Sequence, residues 1–150
     1  MTSRDELEGV QESLITEGYI VPEERCRLAR ANRKIGRIED AQALLEAAFA
    51  ARIDENLFDS SLYLEKGEIL LQRGAADEAE RCFRQALEIA RRQGAKSFEL
   101  EAATSLGRLL RDRGKRDQAR EILAPVYDWF TEGFDTADLQ QAKALLEELA

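Results

Sequence analysis

Two runs of basic residues are the parts of this 150-residue chain best suited to chemistry, and that chemistry is the holding of an anion. Arg25, Arg27, Arg30, Arg33, Lys34 and Arg37 form the first run, with no acid before Glu39. Arg108, Arg111, Arg113, Lys115 and Arg116 form the second, interrupted only by Asp112. Such clusters suit a carboxylate or a phosphate, as an acidic peptide, a nucleotide or a nucleic acid would offer. A plainer reading competes: cations gather at helix C-termini, where they oppose the dipole, and most of both runs fall at such ends. Arg30 and Arg108 lie further inside their predicted helices and fit the anion-site reading best.

Covalent chemistry has fewer means. The chain has no histidine, which removes the commonest general base, the commonest zinc ligand and every Ser-His or Cys-His nucleophile system. Cys26 and Cys82 lie in different predicted helices without CxxC spacing, so both are expected to be reduced, packed thiols. Neither Gly-rich phosphate-loop pattern occurs. The carboxylates sit at helix surfaces and starts with no apolar pocket around a pair. The expectation is a protein that is not an enzyme and uses no cofactor or metal.

The formal charge of −8 disfavours general binding to nucleic acid or an anionic membrane. No apolar run approaches the roughly 18 residues of a membrane span. The polar start Met1-Thr2-Ser3-Arg4-Asp5-Glu6 is not a secretory leader, so a cytoplasmic location is expected. Charged residues make up 35% and hydrophobic ones 44%, a mixture suited to amphipathic helices.

A motif that recurs three times would position the basic side chains. Its copies are Gly36, Glu39, Ala41, Leu45, Ala48; Gly74, Asp77, Ala79, Phe83, Ala86; and Gly114, Asp117, Ala119, Leu123, Val126. The glycines lie 38 and then 40 residues apart, a period that means an array of helix pairs. The glycine supplies the left-handed backbone that stops the first helix of a pair. The acid opposes the dipole at the start of the second helix. The alanine lets the two helices approach, and the bulky residue fills the gap between them. Gly67 and Gly107, seven residues before the turn glycine, predict a close helix crossing; Ala29 holds that place in the first pair.

The predicted helices are about 23–35 and 38–54, 59–73 and 76–92, and 97–113 and 116–131. Ser3 and Glu6 form a capping box that opens an N-terminal helix over 1–20, carrying Leu7, Val10 and Leu14. This acidic helix is read as a solvated end of the array. A last helix starts after Asp135 or Thr136, with the buried stripe Leu139, Ala142, Leu145, Leu146 and Leu149. Tyr127, Trp129, Phe130 and Phe134 are expected to pack where it joins the array. The units are therefore 1–20, 22–54, 58–93, 97–131 and 135–150, in one all-α domain.

Tyr63, Gly67, Leu70, Ala79, Phe83 and Ala86 resemble the tetratricopeptide repeat pattern, and Leu106, Gly107, Leu110, Ala119 and Leu123 repeat it, with Ala103 in place of the first bulky residue. The repeats exceed the usual length of about 34 residues, with the excess between one pair and the next. Residues 97–106, 123–127 and 129–139 also resemble the C-terminal repeat region of bacterial multidomain proteins that carry a nucleotide cyclase or DNA-binding domain and an ATPase domain, among them transcriptional regulators. That similarity covers about residues 38–150 and is strongest after Leu62. Neither the cyclase nor the ATPase part is within the chain, which reads as an excised C-terminal region or, slightly favoured by its own Met1, a small free-standing relative.

The resemblance implies an α–α superhelix of three helix pairs, flanked by the N-terminal helix and a C-terminal capping helix. It also implies that the first helix of each pair lines a concave groove for a peptide or helix. By register, the groove-facing positions are Cys26, Arg30, Arg33 and Lys34; Ser61, Leu64, Glu68, Leu71 and Gln72; and Glu101, Thr104, Arg108, Arg111 and Asp112. The family's clamp for a C-terminal carboxylate is absent, because its places hold Cys26, Arg30, Glu65, Glu101 and Ser105. The implied function is protein–protein interaction or scaffolding in bacterial signalling, with a protein or peptide partner. The alternatives are a homo-oligomerisation module and a small-ligand sensor that uses Arg30 or Arg108.

Overall fold

The computed structural model describes residues 22–52 and 58–150. Among these, seven helices follow one another: α1 (Pro22–Lys34), α2 (Ile38–Ala50), α3 (Asp59–Gln72), α4 (Ala76–Gln93), α5 (Lys96–Asp112), α6 (Arg116–Trp129) and α7 (Ala137–Leu149). The expected N-terminal helix, its capping box and the end of the second predicted helix fall outside the described residues.

Three antiparallel pairs result, α1/α2, α3/α4 and α5/α6, and the recurring motif shows why. Gly36, Gly74 and Gly114 have φ of 86°, 83° and 78°, the left-handed backbone that ends a helix. The amide just after the glycine then reaches back to a carbonyl of the last turn: Arg37 N to Asn32 O at 2.9 Å, Ala75 N to Leu70 O at 2.9 Å, and Lys115 N to Leu110 O at 2.8 Å. Ala41, Ala79 and Ala119 are fully buried, so the second helix of each pair lies close on the first. Leu45, Phe83 and Leu123 fill the gap one turn on.

Gly67 is where the packing is tightest. A Cβ there would lie 2.5 Å from Cε1 of Phe83, a separation no side chain tolerates. At Gly107 the nearest neighbour comes from the capping helix, with Leu145 Cδ2 3.2 Å from such a Cβ. The predicted crossings are therefore real, and the second one seats α7.

Each pair then stacks on the next. The first helices touch in series, α1 to α3 to α5 to α7, while α2, α4 and α6 each pack on the following first helix. One apolar cluster runs from Leu64 through Phe83, Leu106 and Leu123 to Leu149, and another joins Ala29, Ala41, Leu45, Leu62 and Ile69. Helix α3 contributes to both. The capping helix buries Leu139, Ala142, Leu145 and Leu149 as its stripe predicts.

Two boundaries and one cap differ from expectation. Helix α2 stops at Ala50, because Arg52 turns back to place its guanidinium 3.1 Å from the buried carboxylate of Asp59. Helix α6 stops at Trp129, because Phe130 takes an extended conformation with ψ 137°. Thr136 has the backbone of an N-cap, but its hydroxyl donates to Gly133 O at 2.7 Å instead of accepting from the helix.

Candidate functional site

Side chains from α1, α3, α5 and α7 converge on one recess of about 280 Å³. Successive turns of each helix supply them: Arg30, Arg33 and Lys34 from α1; Leu64, Glu65 and Glu68 from α3; Glu101, Thr104, Ser105 and Arg108 from α5; Asp138 and Gln141 from α7. All are spaced by one, three or four positions within their helix, so each set shares a face.

Glu65 organises this recess. It is only 1% exposed, and it accepts from Arg30 Nε at 2.8 Å and from Arg33 Nε at 2.9 Å and Nη2 at 3.2 Å. Arg30 also approaches Glu101, Nη2 to Oε2, at 3.6 Å. Burial works to lower the Arg30 pKa, but the charge of Glu65, its hydrogen bond and then Glu101 raise it. The Glu101 carboxyl is raised above its ordinary value by burial; Arg30 opposes this and Asp138 reinforces it. Further along, Ser105 Oγ donates to Glu68 Oε1 at 2.8 Å and Arg108 Nη2 donates to Gln141 Oε1 at 3.1 Å.

The groove is accordingly not the basic surface that the arginine runs predict. Four cations, Arg30, Arg33, Lys34 and Arg108, face four acids, Glu65, Glu68, Glu101 and Asp138. Further along the second run, Arg111 and Arg113 are neutralised as well, and Arg116 is held by a backbone carbonyl. Arg111 Nη1 lies 2.6 Å from Glu148 Oε2 on α7, Arg113 binds Asp77 and Glu80, and Arg116 and Arg120 donate to the carbonyls of Glu148 and Leu149.

Eight of the register-derived positions line this recess: Arg30, Arg33, Lys34, Leu64, Glu68, Glu101, Thr104 and Arg108. Thr104 turns its hydroxyl to Leu100 O at 2.7 Å, and Leu64 belongs to the core beneath, so neither offers a free polar group. Ser61 and Cys26 line an adjoining recess with Phe58 and Phe98. Leu71, Gln72 and Arg111 are not among the lining residues; Leu71 and Gln72 are exposed, and Arg111 is drawn to the capping helix. Asp138 and Gln141 were not foreseen, because the terminal helix showed only its apolar stripe. Their signal was its register: they flank Leu139 and Ala142, as groove residues flank the packing positions of α5.

The aromatic expectation needs a larger correction. Tyr127 and Phe130 do pack on the core, but Trp129 is 57% exposed and Phe134 46% exposed. Neighbours 129 and 130 cannot both face inward once α6 ends between them, and Phe130 takes the inner place.

Cys26 and Cys82 are both free and buried. Burial, and then the charge of Glu65, push the Cys26 thiol up to about 12, so almost no thiolate exists near neutral pH. In a Cys82→Ser background, iodoacetamide at mildly alkaline pH is expected to leave Cys26 unmodified in the native protein and to alkylate it in denaturant. Mass spectrometry reads the difference, and rapid native labelling would refute the packed placement. Among the described residues no three His, Cys, Asp or Glu side chains come together to hold a metal, and no helix is long and apolar enough to cross a membrane.

Stacked helix pairs whose first helices share a lined recess define a helical repeat protein. Residues 58–128 match the tetratricopeptide repeat family model, which covers α3 to most of α6 and supports reading this region as a tetratricopeptide repeat domain. Such repeats generally mediate protein–protein interaction and scaffolding. No curated protein gives a significant match to the chain.

Proposed function

We propose that this chain is a non-enzymatic interaction module that binds a peptide or helix along the recess formed by α1, α3, α5 and α7, as a regulatory part of bacterial signalling. One observation carries the groove reading: the first helices of the three pairs and the capping helix present polar and charged side chains to a single recess. Binding there needs no chemistry on the ligand. Lys34 has no carboxylate partner among the described residues, and Arg108 holds only the neutral amide of Gln141, so both keep charge to offer. Glu68 and Asp138 offer the opposite sign on the same surface. The fitting partner therefore carries both charges in register and is not simply acidic. The bacterial signalling context rests on the resemblance of residues 97–139 to the C-terminal arrays of cyclase and ATPase proteins.

Photo-crosslinking tests the groove. A photoreactive residue at Arg108 or Glu68 is expected to capture a partner protein from cells, while one at the exposed outer position Glu88 captures none. Lys34→Glu with Arg108→Glu should abolish the capture without loss of helicity, since neither residue pairs with a buried acid. Equal capture from Glu88, or none from the groove, would refute the assignment. Capture of a second copy would replace it by self-association.

A further inference from the structure

The turn between α6 and α7 borders a further recess, of about 660 Å³, whose walls differ from those of the groove. The rings of Trp129 and Phe130 meet edge to face at 87°, with centroids 5.2 Å apart, and form an aromatic corner. Leu100 and Leu139 supply buried aliphatic surface beside it. Among the described residues, its only ionisable lining groups are the acids Glu132 and Asp138. The Trp129 ring already takes an ammonium group, since Lys96 Nζ sits 5.6 Å from its centroid.

We infer that this corner docks a lysine or arginine side chain from a basic segment of a partner protein. A π face attracts a cation through its quadrupole. The aliphatic stem of the side chain packs on Leu100 and Leu139, while its charged head lies between the rings and the carboxylates. The acid rim disfavours an anionic lipid surface. The formal charge of −8 draws basic segments towards the whole molecule. Asp138 lines both this corner and the groove, so the two recesses adjoin; the assignment nevertheless stands whether or not a peptide occupies the groove.

Trp129 is the sole tryptophan, so its emission reports on this corner alone. Oligo-arginine and oligo-lysine peptides are expected to change that emission saturably, and an oligo-glutamate peptide of equal length is not. Glu132→Gln with Asp138→Asn should weaken the basic peptides about tenfold, the scale of losing two exposed ion-pair partners. The charge-matched pair Glu46→Gln with Glu78→Gln, on the exposed faces of α2 and α4, should leave affinity unchanged. Calorimetry of Trp129→Leu, with helicity checked by circular dichroism, should show a similar weakening. Equal weakening by both charge pairs would reduce the effect to general attraction and overturn the assignment, as would an absence of saturable change. Crosslinking from the groove would be untouched by either failure.

Discussion

Phe83→Ala is expected to lower the unfolding free energy by about 3–5 kcal/mol, the usual cost of emptying a large buried aromatic site. Phe83 is fully buried, and its ring lies against the backbone of Gly67, so it fills the space between α3 and α4 that a Cβ would otherwise occupy. Gly67→Ala should cost about 1–3 kcal/mol by overpacking, even though alanine is the better helix former. The two changes address one space. Gly67→Ala combined with Phe83→Ala should therefore lose less than the sum of the single variants, because the new methyl enters the vacated ring site. Urea unfolding of the four proteins completes the cycle, and strict additivity would show that the ring and the glycine do not share that space.

Glu65→Ala is expected to cost about 2–3 kcal/mol. The removed carboxylate is almost fully buried and pairs with Arg30 and Arg33 together. Arg33 is 14% exposed and stays largely desolvated without it, whereas Arg30 is 36% exposed and recovers water. That difference places the loss at the lower end for a broken buried pair. Replacing all three residues together, Glu65→Leu with Arg30→Met and Arg33→Met, should recover part of the stability, because no buried guanidinium is then left unpaired, while Glu101 loses its contact with Arg30. The triple variant should also fail to capture a groove partner. A single Glu65→Ala variant within about 0.5 kcal/mol of the parent would show that the pairs are no stronger than ordinary surface ion pairs.

The architecture was legible because it is written in backbone requirements. Gly36, Gly74 and Gly114 are needed for their positive φ, and Ala41, Ala79 and Ala119 for close approach, so a period of glycine, alanine and bulky residue carries the stack. Helix ends were less legible. Arg52 leaves α2 for an acid seven residues on, and no local signal announces that partner. Register placed eight of the named positions at the recess, yet their electrostatics did not follow from it. Arg30, Arg33 and Glu65 are adjacent only after α1 and α3 pack, and a run of arginines read along one helix omits the acid across the gap. Trp129 and Phe130 show the same limit at the turn after α6, where a one-residue change in helix end decides which ring is buried.

The balance of four cations against four acids in the groove has a kinetic consequence. Opposite charges a few ångströms apart cancel beyond about 10 Å at moderate salt, so the groove casts no strong field of its own into solution. Any steering comes from the net charge of the whole molecule and not from the groove, so the groove itself is found by random encounter, at about 10⁵–10⁶ M⁻¹ s⁻¹. Discrimination then happens after arrival, when a bound segment either matches the alternating signs or leaves, and residence time rather than arrival rate separates the right partner from the wrong one.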